Sequence, residues 1–159
     1  MKIDLISGSH AVGEANYHLQ FTPAYRKEIF ADDAVRILTR DYILAAARMH
    51  GITISAMGFG PDHCHVFTAQ CKNFSVSKIA QLLKGFSSRM MRKNHWDLFR
   101  GDLYGDKFWT GGYFYRTVGA VNSETVKHYV EQSQEKHWRK TMPENPKFGA
   151  QSRLIQFAA

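Results

Sequence analysis

The chain has 159 residues, 44% of them hydrophobic, so it is one domain in size and long enough to bury its own core. A formal charge of +7 and a pI near 9.5 favour a polyanionic partner, nucleic acid first among them. No 18-residue apolar run and no secretory pattern at Met1–Ile6 are present, and Cys64 and Cys71 fit neither a disulfide framework nor a zinc ribbon. The expectation is a cytoplasmic protein with reduced thiols and no membrane partner.

Residues 1–15 carry no clear period and read as a loose leader. Asn16 to Thr22 alternates and is rich in strand formers, and Pro23 ends it. Tyr25-Arg26-Lys27 follows as a basic, aromatic turn. Asp32-Asp33 is an N-cap region, and Val35, Leu38, Tyr42, Ala45, Ala46 and Met49 recur at helical spacing up to His50, where Gly51 closes the helix. Ile52 to Phe59 alternates as a second strand, Gly60-Pro61-Asp62 is a tight turn, and His63 to Gln70 is a third strand, which makes an antiparallel hairpin.

Within that third strand His63 and His65 share a face, because side chains i and i+2 of a strand point the same way, and Cys64 points to the other. Two imidazoles on a rigid element form a fork that suits a divalent cation with open positions. A His-x-His pair also arises by chance in a chain with 8 histidines, so the pair by itself leaves the matter open.

Ser75 or Ser77 caps the next helix, which runs to about Asn94 on the apolar positions Val76, Ile79, Leu82, Leu83, Phe86 and Met90. Its polar side carries Lys78, Lys84, Arg89, Arg92 and Lys93, charges of one sign that fit either a solvated face or a phosphate contact. Residues 95–112 are irregular and dense in glycine and aromatics, and Gly112 to Val118 reads as a fourth strand. Asn122 or Ser123 then caps a helix from about Glu124 to Trp138 that holds Tyr129, and residues 139–159 form a tail.

The element order predicts an α+β fold: a ferredoxin-like split βαβ with a four-stranded antiparallel sheet, two helices on one face and an extra C-terminal helix carrying the tyrosine. A tyrosine of this kind is ordinarily a packing residue with a wet tip. Pro61-Asp62-His63-Cys64-His65, the segment Lys107-Phe108-Trp109 to Gly112-Tyr113-Phe114, and the Tyr129-Val130-Glu131 helix together resemble the single-tyrosine HUH transposases of the insertion-sequence-200 type. HUH denotes histidine, hydrophobic residue, histidine, and Cys64 serves as the middle residue because a buried free cysteine behaves as a small hydrophobe. The resemblance spans residues 16–138.

The resemblance implies an enzyme that cuts and rejoins single-stranded DNA at the hairpin-marked ends of a mobile element. It assigns Tyr129 as nucleophile, forming a 5′-phosphotyrosine, and His63 and His65 as ligands of Mg²⁺ or Mn²⁺. It also implies a homodimer whose active sites are shared between chains, and it calls for no nucleotide cofactor. Family members place a glutamine four residues after the tyrosine as a third ligand. Ser133 stands there instead, between Gln132 and Gln134; Gln132, on the tyrosine's helix face, is the expected third ligand, with Ser133 or a water as the alternative. Arg26, Lys27, Lys84, Arg89, Arg92, Lys107 and Arg116 are candidate DNA contacts. Two other readings share this sequence: a domesticated relative that binds or nicks hairpin DNA without transposition, and a non-catalytic nucleic-acid-binding ferredoxin-like module.

Overall fold

The computed structural model describes residues 6–7, 9–103 and 105–119. A two-residue ribbon, β1 (Ile6–Ser7) with β2 (Val12–Gly13), opens the described chain where a loose leader is expected. Then come β3 (Asn16–Phe21), α1 (Asp33–His50), β4 (Thr53–Gly60), β5 (His63–Ala69), α2 (Val76–His95) and β6 (Phe114–Val118). The four long strands form one antiparallel sheet in the order β4-β5-β3-β6, the split βαβ arrangement expected from the element order.

Local chemistry sets the helix ends. Asp32 Oδ1 accepts from the backbone N–H of Ala34 at 2.8 Å and of Val35 at 3.1 Å, satisfying two orphan donors of α1. Gly51 closes α1 with φ 69°, a conformation that glycine adopts at least cost. Of the two serines that could cap α2, Ser75 does so, its Oγ accepting from Lys78 N–H at 3.2 Å.

Alternation along the strands separates two sheet faces. Leu19, Phe21, Met57, Phe59, Cys64 and Val66 point toward the helices and are buried with Val35, Ile43, Ile79 and Leu83. Each large apolar side chain so buried contributes about 1.5–3 kcal/mol. The buried stripe of α1 is Val35, Thr39, Ile43, Ala46 and Ala47, rotated from the expected one, and Met49 is exposed. Thr39 can face the core because its hydroxyl donates to Val35 O at 2.7 Å. At the far end the two helices are joined by polar contacts, Tyr42 Oη with His95 Nε2 at 2.9 Å and Asn94 Nδ2 donating to Tyr42 Oη at 3.3 Å.

The stretch after α2, without period in the sequence, supplies core. Phe99, Phe108 and Trp109 are buried, with edge-to-face ring pairs at 5.2 Å (Phe99–Phe108) and 4.9 Å (Phe108–Trp109). Trp109 Nε1 donates to Ser87 Oγ at 3.0 Å, and the Lys84 ammonium donates to the carbonyls of Thr110 and Gly112, both at 2.7 Å. The entry to β6 is thereby tied to α2.

Candidate active site

The second sheet face carries the chemistry. Strand register places His18 and Gln20 of β3, His63, His65 and Phe67 of β5, and Phe114 and Arg116 of β6 on it. The rings of His63 and His65 lie 4.9 Å apart between centroids, at 82° to each other, and the two residues are only 4% and 6% exposed. Cys64, between them, is fully buried on the opposite face, and burial raises its thiol pKa well above the ordinary value. The two-imidazole fork expected from the sequence is thus in place.

Each imidazole of the fork is held through Nδ1. His63 Nδ1 is 2.7 Å from Asp62 Oδ1, and a carboxylate can only accept, so Nδ1 donates, which leaves Nε2 as the nitrogen a neutral ring would offer a cation. His65 Nδ1 is 2.8 Å from His18 Nε2. The tautomer that makes His65 a ligand through Nε2 has Nδ1–H donating to His18. His18 suits the acceptor role. Burial, and then the Arg116 guanidinium, pull its pKa down to about 4, so the ring is neutral at physiological pH. Phe67 holds it flat, stacked at 4.3 Å and 5°.

Behind His63 the support continues. Asp62 Oδ2 is 3.4 Å from an Arg26 guanidinium nitrogen. Burial pushes the Asp62 carboxyl up, but its bond to His63 and the nearby His63 and Arg26 charges outweigh this and hold it below the usual range. Gly60 completes the seat. A β-carbon there would overlap His63 Cε1 and come within 2.8 Å of Nε2 and 2.9 Å of Nδ1, so the imidazole lies across the space that a side chain would take.

This donor set fits a divalent cation. Ligating histidines ordinarily donate their second nitrogen to a carboxylate or another fixed acceptor, which sets tautomer and ring angle. Among the described residues no third His, Cys, Asp or Glu completes a three-ligand group. Tyr129, Gln132 and Ser133, with the helix expected to carry them, lie outside the described residues.

The candidate DNA contacts divide. Arg26 and Arg116 stand at the histidine site, the first on Asp62 and the second opposite His18 in the β3–β6 register. Arg89 and Arg92 lie on α2, across the sheet, where with Lys93, Ser88 and Trp96 they line a solvent-open cleft of about 440 Å³. Lys107 is exposed and Lys27 half-buried. Lys84, also on α2, donates its half-buried ammonium to the carbonyls of residues 110 and 112, and burial lowers its pKa.

The same region holds strained backbone. Tyr25 and Arg26 are consecutive non-glycine residues in the left-handed region, with φ 59° and 52°. Such residues cost on the order of 1–3 kcal/mol each and persist only where the surroundings over-determine them.

The sequence alone does not mark His18, Asp62 or Gly60 as parts of the site. Asp62, next to His63, could have been suspected as its carboxylate partner. His18 and Gly60 become visible only once the register is known.

Comparisons with known proteins bear on this arrangement. Residues 11–133 match the family described as transposase, IS200 like. The transposase for insertion sequence element IS200 of Salmonella typhimurium is 28% identical over 127 residues, covering 78% of this chain and 82% of its own, and that of Salmonella typhi gives the same figures. Among solved structures, a protein from Deinococcus radiodurans described as a candidate transposase superposes with a TM-score of 0.63 at 23% identity, over 81% of this chain and 98% of its own. A REP-associated tyrosine transposase bound to a REP hairpin gives 0.50 at 13% identity, over 74% and 62%. At these identities the two structures speak to the fold.

Proposed function

The chain belongs to the IS200-like transposase family, and from that premise we propose that it is a metal-dependent transposase that cleaves and rejoins single-stranded DNA at hairpin-marked element ends. The observation that carries this reading is the anchoring of both fork imidazoles through Nδ1, at 2.7 Å to Asp62 and 2.8 Å to His18. A strand with two adjacent histidines but no such support would make a poor ligand pair. Here Nδ1 of each ring is engaged, so Nε2 is the nitrogen through which each would ligate.

In the proposed reaction His63 and His65 hold Mg²⁺ or Mn²⁺, with Gln132, Ser133 or a water as third ligand. The cation, when bound, withdraws charge from the scissile phosphate oxygens. The hydroxyl of Tyr129 attacks phosphorus. A bond from tyrosine oxygen to phosphorus forms, the bond to the 3′ oxygen breaks, and the proton given up by the tyrosine is balanced by one taken up at the leaving 3′-hydroxyl. A 5′-phosphotyrosine results. Attack by a 3′-hydroxyl reverses the step, so the joining energy is conserved and no nucleotide cofactor is required. A hairpin-bearing single strand is the proposed substrate, supported by the hairpin bound to the structural neighbour. The proposed assembly is a homodimer with shared active sites, acting in the cytoplasm.

The test is covalent trapping. Labelled single-stranded hairpin DNA from the flanks of the gene is incubated with protein and Mn²⁺ and run on a denaturing gel beside Tyr129→Phe. The expected result is a shifted protein–DNA band that is lost in the variant and under chelator. A band that survives in Tyr129→Phe overturns the nucleophile, and one that survives chelator overturns the metal role.

A further inference from the structure

Between β3 and α1 the chain makes a turn whose residue choice the fold does not explain. Tyr25, at φ 59° and ψ 17°, holds a conformation that glycine or asparagine adopts at little cost, yet the residue is 67% exposed and adds little to the core. Arg26 follows in the same region, at φ 52°. The turn is not loose. Ala24 N–H donates to Phe108 O at 2.9 Å, Arg26 N–H to Pro23 O at 3.0 Å, and Phe30 N–H to Pro61 O at 3.0 Å. The last of these fixes the segment to the turn that carries Asp62. The Arg26 guanidinium reaches Asp62, which in turn holds His63, so the turn is wired to the histidine fork through side chains as well.

A pinned, strained turn that presents a large aromatic to solvent, flanked by Arg26 and Lys27, joins a stacking surface to positive charge. We propose that Tyr25 is a stacking platform for one unpaired nucleobase of the single strand beside the scissile phosphate, with Arg26 facing the adjoining backbone. The inference rests on the transposase reading and adds to it a substrate-positioning residue. Base–aromatic stacking is sequence-tolerant, because every base has a π-face, so the platform sets the position of the strand rather than its sequence. An apolar protein partner is the weaker occupant, since the flanking residues are cations on a chain of net charge +7.

The test uses the full-length protein in chelator, with hairpin DNA from the gene's flanks carrying 2-aminopurine at each single-stranded position in turn. One position is expected to be quenched by the wild type and by Tyr25→Phe and to lose its quench in Tyr25→Gly, whose affinity for a flankless hairpin stays within about twofold. Because glycine relieves the backbone, Tyr25→Gly should melt at or above the wild-type temperature while strand cleavage in Mn²⁺ falls tenfold or more. Quench retained in Tyr25→Gly, or lost equally in Tyr25→Phe, overturns the platform. Wild-type protein that binds no hairpin overturns the transposase reading instead.

Discussion

Replacing Gly60 by alanine adds one carbon at the most crowded point of the site. That carbon would overlap His63 Cε1, its nearest neighbour, and lie 2.8 Å from Nε2 and 2.9 Å from Nδ1, where ordinary contacts between heavy atoms begin at about 3.5 Å. The ring must therefore move by about 1 Å or more. It cannot move freely, since Nδ1 is bound to Asp62 at 2.7 Å and the His65 ring lies 4.9 Å away. A catalytic constellation tolerates about 0.5 Å, and a misplacement of 1 Å can cost on the order of 10²-fold in rate. Weakening the bond to Asp62 costs a further ~1–2 kcal/mol of stability, a few degrees in melting temperature for a chain of this size. We expect Gly60→Ala to cut strand cleavage about 100-fold in single-turnover assays with Mn²⁺ while hairpin binding holds. Gly51→Ala is the matched control. A β-carbon there meets nothing within 4 Å, but φ is 69°, so it should lose ~1–2 kcal/mol through backbone strain and keep its cleavage rate. Cleavage by Gly60→Ala within threefold of wild type would refute the reasoning.

Three other outcomes follow from the geometry. The His18 pKa near 4 lies below the value of 6.5 for an unperturbed ring, so between those values the unfolded chain binds a proton that the folded chain refuses. Metal-free protein should therefore keep its full stability above about pH 6.5 and lose roughly 1–2 kcal/mol, allowing for solvent screening, as pH falls toward 4; His18→Gln should flatten that slope in urea titrations, and parallel curves would sink the account. Lys84→Met should lower the melting temperature by several degrees and leave the salt dependence of DNA binding unchanged, whereas Arg116→Ala should reduce the salt slope by about one; the reverse pattern would return Lys84 to the DNA. Cys64 and Cys71 are buried with raised thiol pKa values, so iodoacetamide should label neither in native protein and both in denaturant, as read by mass spectrometry.

The parts of the fold legible in the sequence are those governed by short periods. The alternation around His63–Ala69 predicted both the shared face of the histidines and the burial of Cys64, and the Asp32 and Gly51 caps bounded α1 as expected. Features that depend on pairing across the sheet were not legible. His18 meets His65 from the neighbouring strand, 47 residues away in sequence, and nothing near it in sequence marks it as a support. Lys84 reads as one charge in a basic stripe until the loop at residues 110–112 is brought against it. Residues 95–112 have no period because their aromatics pack as an edge-to-face cluster rather than along one element, so a core segment reads as irregular. The family resemblance supplied Tyr129, the metal and the DNA substrate, and these stand on the family and on the proposed tests.

The β4–β5 hairpin has a consequence for how the gene can change. At its far end the pairing skips Ser55, so one extra residue is already absorbed as a bulge between Ile54 and Ala56. From Ala56 to Gly60 every residue has a fixed partner running back from Phe67 to His63. A single codon gained or lost in this inner stretch would shift the alternation of β4 against β5, turning Met57 or Phe59 out of the core and Gly60 away from His63, while β5 stays paired with β3. The same codon added beside Ser55 would meet backbone that already bends. Length variation in descendants of this gene should therefore collect at the bulge and stop short of codon 56, a boundary drawn by strand register alone.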